Sequence, residues 1–88
     1  MNDESMQVAE LIEYIRQSVM RNPNAQITAD TPLVSSGLID SFALVDILVK
    51  LEEVTQMRIS AGKVQPKDMN TVNLMLSTAR RVGKPSKS

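Results

Sequence analysis

The chain has no cysteine, no histidine and no tryptophan, and its 88 residues include only three glycines, four prolines, one tyrosine and one phenylalanine. Without cysteine there is no disulfide framework and no thiolate metal site, and without histidine the commonest general base and the commonest metal ligand are both missing. Most catalytic constellations are excluded on that ground, and no metal site is expected. So few rings and glycines argue against a β-sandwich or barrel. The longest uninterrupted apolar run is four residues, Phe42 to Val45, against the about 18 that suggest a transmembrane helix. The N-terminus opens Met-Asn-Asp-Glu, unlike a basic signal peptide, so a cytoplasmic protein with no membrane span is expected.

What is present suits one small helical core. Hydrophobic residues make up 42% of the chain, an ordinary share for a globular domain, and they are dominated by 23 Val, Ile and Leu with six Met. The net charge is zero but unevenly placed. Residues 1–62 hold nine acids and four bases, while residues 63–88 hold one acid and six bases. General nucleic-acid binding needs a basic face that displaces counterions, and an acidic body does not offer one. Arg80, Arg81, Lys84 and Lys87 read as favourable charge at a helix C-terminus followed by a solvated tail.

Three amphipathic stretches define the architecture. Val8, Leu11, Ile12, Ile15 and Val19 recur at the spacing of one helical face and predict a first helix from about Ser5 to Arg21, with Asn2, Asp3 and Glu4 at its positive end and Asn22-Pro23 at its stop. A connection over roughly 22–39 follows, long for a small domain and carrying Ile27, Leu33, Val34, Leu38 and Ile39 to pin it. Leu44, Ile47, Leu48, Leu51 and Val54 predict a second helix from Asp40 to about Thr55. Met57 and Ile59 anchor the next loop, and Pro66 suits the first position of a short helical turn. Asn70 or Thr71 caps a last helix that turns Val72, Met75, Leu76 and Ala79 inward and ends near Gly83. The expected fold is all-α: a bundle of three main helices plus one short one, forming a single domain over 1–83, with a disordered basic tail over 84–88.

The informative segment is Gly37-Leu38-Ile39-Asp40-Ser41-Phe42, which delivers an Asp-Ser pair to the start of the second helix. Both residues are good N-caps, so a purely structural role accounts for the pair alone. It does not account for the neighbouring helix surface. At about 100° per residue, Phe42, Val45 and Val49 fall beside Asp46 and Glu53 at the edge of the polar face, so an apolar patch rimmed by acids is expected to stay exposed. Backbone N–H groups and the dipole at a helix N-terminus also favour an anion, so a phosphate ester on Ser41 is well placed. Asp40 is left open between an N-cap and a metal or partner contact for a modifying enzyme.

That run, followed by Val45, Leu48, Leu51-Glu52-Glu53, Ile59 and Thr71-Val72, resembles the acyl carrier proteins over roughly residues 5–82. The resemblance implies an acyl-carrier-like four-helix bundle with a long loop between its first two helices. It implies that Ser41 receives 4'-phosphopantetheine from coenzyme A through a phosphopantetheinyl transferase, and that the thiol of this arm carries acyl cargo as a thioester. On the same grounds the chain is a monomeric carrier without catalytic activity of its own. It would be loaded by an acyl or aminoacyl ligase and serve downstream acyl-transfer enzymes of lipid, fatty-acid or secondary-metabolite synthesis. The positions matching the family's recognition helix are Asp40, Phe42, Val45, Asp46 and Val49.

There are departures from the family pattern. Gly37 lies four residues before Ser41, where many fatty-acid carriers have a glycine three before, and this spacing resembles free-standing D-alanyl and specialised acyl or aminoacyl carriers. Lys50, Arg58, Lys63 and Lys67 thin the usual acidity of the docking surface. Thr55 and Met69 stand where relatives often have rings, which suggests a softer core. Two other readings compete. Ser60-Ala61-Gly62-Lys63 has the Ser-x-x-Lys spacing of some hydrolases but lacks their companion motifs. A helical adaptor would use exposed Phe42, Val45 and Val49 to bind a partner helix, with Ser41 only a cap.

Overall fold

A computed structural model describes residues 4–85. Helix α1 spans Glu4–Tyr14 and runs on into a π turn over Ile15–Val19; α2 spans Ala43–Thr55 and α3 spans Val72–Val82. Two short 3₁₀ turns, Ala61–Lys63 and Pro66–Met69, lie between α2 and α3. Two-residue strands β1 (Met57–Arg58) and β2 (Lys84–Pro85) pair antiparallel. Among the described residues no helix is long and apolar enough to cross a membrane. Asn2 and Asp3, expected at the start of the first helix, lie outside the described residues.

The core gathers one face from each helix. Leu11 and Ile15, then Ile47, Leu51 and Val54, then Val72, Met75, Leu76 and Ala79 are buried, at the three- and four-residue spacing that the apolar pattern requires. Thr71 caps α3, its hydroxyl accepting the N–H of Leu74 at 3.0 Å. Pro66 opens the second 3₁₀ turn, where its missing N–H costs nothing, and Asp68 closes back on the N–H of Gln65 at 3.0 Å. Gly83 follows α3 because a Cβ there would stand 2.3 Å from the carbonyl oxygen of Ala79.

The structure departs from the sequence reading at four places. The regular α-helical part of the first helix ends at Tyr14, not Arg21. A wider turn then brings the N–H groups of Met20 and Asn22 onto the carbonyls of Ile15 and Arg16, both at 2.8 Å, with Arg21 in the left-handed conformation that glycine more often supplies. Arg16 and Gln17 both donate to the Glu13 carboxylate across this junction, and the bond from Arg16 holds that carboxyl below its ordinary range. Helix α2 starts at Ala43, three residues later than Asp40, because Ser41 and Phe42 form a turn ahead of it. Leu38 is 45% exposed and does not help to pin the loop. Lys84 and Pro85, expected in a disordered tail, pair with Arg58 and Met57, so the folded unit extends to Pro85; residues 86–88 lie outside the described residues.

The long connection over 20–42 is held from both ends. Leu33 and Ile39 are buried in the core, each contributing roughly 1.5–3 kcal/mol by leaving water. Two asparagines at the head of α3 supply its polar anchors. The Asn70 side-chain carbonyl accepts the N–H groups of Val34 and Ser35 at 2.8 and 2.9 Å, and the Asn70 main-chain carbonyl accepts that of Leu33 at 2.7 Å. Asn73 donates to the Asp30 carboxylate at 2.7 Å and, through its backbone N–H, to Ala29 at 3.0 Å. Gly37, at φ 81°, turns the chain between Leu33 and Ile39, where the Ile39 N–H returns to the Leu33 carbonyl at 3.1 Å. The Asp-Ser pair is therefore delivered by a fixed loop.

Candidate functional site

Asp40 and Ser41 sit side by side at the mouth of α2, and both are exposed. Asp40 Oδ1 accepts the N–H of Ala43, the first residue of the helix, at 2.9 Å. That bond satisfies one of the donors which a helix start leaves open. The carbonyl of Ser41 accepts the N–H of Leu44 at 3.3 Å, so the Ser41 main chain is built into the first turn. Its hydroxyl makes no hydrogen bond among the described residues. Capping falls to the aspartate, and the serine hydroxyl is left facing solvent.

From this point an apolar stripe runs along the outside of α2. Phe42, Val45 and Val49 are 85%, 66% and 60% exposed, and Asp46 and Glu53 are exposed beside them. At about 100° per residue these five fall within one arc of the helix, opposite Ile47, Leu51 and Val54, which face the core. Three large hydrophobic side chains turned outward in one stripe contribute nothing to the fold that burial would supply. Lys50 thins the acidity here, since its amine bonds the Glu53 carboxylate at 2.9 Å while lying 5.6 Å from the centre of the Tyr14 ring. The Glu53 carboxylate holds the Lys50 amine above its ordinary pKa.

The model of the phosphopantetheine attachment site family matches residues 9–76, well over half of the chain and inclusive of the loop, the Asp-Ser pair and all of α2. The chain belongs to that family. No curated protein and no solved structure matches it. Members of this acyl-carrier-type family bear 4'-phosphopantetheine as a covalent group, receive it from a phosphopantetheinyl transferase, and carry acyl groups between enzymes without being catalysts themselves.

Beside the serine this carrier has an open groove of about 170 Å³ between α2 and the second 3₁₀ turn. Ser41 stands at its edge, and Leu44, Leu48, Val64, Pro66 and Met69 line it, with Gln65 the one other polar contributor. It is smaller than the roughly 300–1,000 Å³ of ordinary small-molecule pockets. One wall is Met69, buried and unbranched, a side chain that repacks easily. Thr55, the other position where relatives often have a ring, is buried and returns its hydroxyl to the Leu51 carbonyl at 2.7 Å. Both substitutions thus put small or pliable side chains in the core.

The competing motif does not assemble. Ser60 precedes the first 3₁₀ turn and Lys63 ends it, the two joined only by the backbone bond from Lys63 N–H to the Ser60 carbonyl at 3.0 Å, and no bond joins hydroxyl to amine among the described residues. Glu52 is occupied by the N–H of Ile59 at 2.7 Å, whereas Glu53 pairs with Lys50. Asn70 and Asn73, which fix the loop carrying Ser41, were not singled out in the sequence as site-positioning residues. Asn70 was noted there only as a possible cap.

Proposed function

We propose that Ser41 is the point of attachment of the phosphopantetheine arm, and that the protein is an acyl carrier whose cargo travels as a thioester on that arm. One observation carries this reading: Asp40 takes the capping role, so the Ser41 hydroxyl is exposed, unengaged and held at the positive end of α2. These residues fit a phosphodiester, since Ser41 Oγ is open to the transferase and the helix dipole favours the anion formed there. When attached, the arm supplies the thiol that a chain without cysteine lacks. Asp40 and Asp46 steer partner enzymes, while Phe42, Val45 and Val49 form the apolar centre of the docking face.

The enzymes served are those of lipid, fatty-acid or secondary-metabolite synthesis, and the carrier acts as a cytoplasmic monomer. An aminoacyl or D-alanyl cargo is the alternative suggested by Gly37 lying four residues before Ser41. The apolar lining of the groove beside Ser41 favours an acyl chain over a charged aminoacyl group. The test is intact-mass measurement after incubation with coenzyme A and a phosphopantetheinyl transferase. One added arm is expected on the wild type and none on Ser41→Ala. An unmodified wild type across several transferases would leave the helical adaptor as the better reading.

A further inference from the structure

Away from Ser41, the strand pair and the loop after β1 border a second, open cleft of about 550 Å³, lined in part by Arg58, Lys63 and Lys84. Arg58 and Lys84 are direct partners in the antiparallel register, so their side chains leave the same face of the ribbon. Like charges set directly opposite one another destabilise a strand pair. No ion pair among the described residues relieves them. The ion pairs among the described residues join Arg16 to Glu13, Lys50 to Glu53, Arg80 to Glu4 and Arg81 to Asp68, and none of them involves Arg58, Lys63 or Lys84. Glu52 is the one acid lining the cleft, and its carboxylate is held by the backbone N–H of Ile59 at 2.7 Å.

We propose that this cleft is a binding site for a phosphate monoester. Three cations against one carboxylate leave a surplus of two positive charges, which matches a monoester dianion. The Arg58 guanidinium offers paired donors to phosphate oxygens, the two lysines offer point charges, and the exposed Ser60 hydroxyl on the same wall adds a further donor. Ile59 and Val82 make the rest of the lining apolar, so the ester's organic body meets hydrocarbon while its phosphate meets the cations. Bound there, the anion would also offset the repulsion between Arg58 and Lys84 and hold β2 against β1. A surplus of two charges on one short lining suits a single phosphate better than an extended acidic peptide. The site is independent of the arm on Ser41, which is not among its lining residues.

The test is titration of the whole isotope-labelled chain with phenyl phosphate at constant ionic strength, following backbone amide shifts. Saturable shifts confined to residues 58–63 and 82–85 are expected, with affinity falling roughly tenfold or more in Arg58→Gln/Lys84→Gln. Should that double variant unfold, Lys63→Gln alone is expected to weaken binding by a smaller factor. Vesicles of phosphatidic acid in phosphatidylcholine separate the two sources of this chemistry. Co-sedimentation lost in the double variant assigns the ligand to a lipid headgroup, and saturable phenyl phosphate binding without co-sedimentation assigns it to a free metabolite. Shifts that potassium chloride alone reproduces, undiminished affinity in the variants, or binding of poly-glutamate with none of phenyl phosphate would each overturn the proposal.

Discussion

Asp40 and Ala43 are joined across the start of α2 by a 2.9 Å bond from the Ala43 N–H to Asp40 Oδ1, and this bond divides the labour of the Asp-Ser pair. Asp40→Ala should cost about 1 kcal/mol, as loss of a helix cap usually does. Asp40→Asn, which keeps the acceptor, should recover most of it. Ser41→Ala should stay within about 0.5 kcal/mol of the wild type, like other exposed substitutions. Urea unfolding of the three variants measures this directly. A loss in Ser41→Ala equal to that in Asp40→Ala would make the serine a structural cap.

The loop that presents Ser41 depends on a residue almost thirty positions further on. Asn70→Ala removes the acceptor for Val34 and Ser35 N–H, at an expected cost of about 1–3 kcal/mol. Asn70→Asp retains the acceptor oxygens and should cost less. Hydrogen exchange should accelerate at Val34 and Ser35 in the alanine variant, and modification of Ser41 should slow because the hydroxyl is no longer held in one place. Unchanged exchange at those two amides would show that Leu33 and Ile39 fix the loop without help.

How much of this was legible beforehand follows from the range of each signal. The faces of α1, α2 and α3 were readable because each buries a single stripe, and the exposure of Phe42, Val45 and Val49 followed from the same angular arithmetic. Thr71 and Pro66 were readable because caps and first-turn prolines act locally. What escaped was non-local or chemically unmarked. Arg21 and Gln56 take left-handed conformations without being glycine, so neither helix end carries its usual signature. The bonds from Asn70 to Val34 and Ser35 span 36 and 35 residues, beyond any periodicity. Two-residue strands are too short to show alternation, which hid the pairing of Lys84 with Arg58.

Partner loading should be sensitive to the outer face of α2 while folding is not. Phe42→Ala and Val49→Ala remove exposed side chains, so unfolding midpoints should barely move while loading by an acyl ligase slows. Asp46→Lys should slow loading through the association step, with the deficit shrinking as salt is added. Stopped-flow loading across a salt series distinguishes the two effects, because loss of apolar contact raises dissociation at every ionic strength. Asp46→Lys kinetics indistinguishable from wild type at low salt would remove the steering role.

The groove beside Ser41 makes the last prediction a matter of cargo length. A long apolar acyl chain on the arm has an apolar wall of Leu44, Leu48, Val64 and Met69 within the same surface as Ser41, the proposed attachment point, and each methylene that leaves water there contributes up to about 0.8 kcal/mol. The groove is small at about 170 Å³, so only part of such a chain fits unless Met69 repacks, which an unbranched thioether does readily. Long-chain thioesters should therefore hydrolyse more slowly than short ones and shift the methyl resonances of Leu48, Val64 and Met69. An aminoacyl thioester should do neither, because its ammonium would lose hydration without finding a partner among those side chains. Equal hydrolysis rates and unmoved methyl shifts with short and long cargo would mean that the chain stays in solvent and that the apolar lining serves only to pack α2 against the 3₁₀ turn.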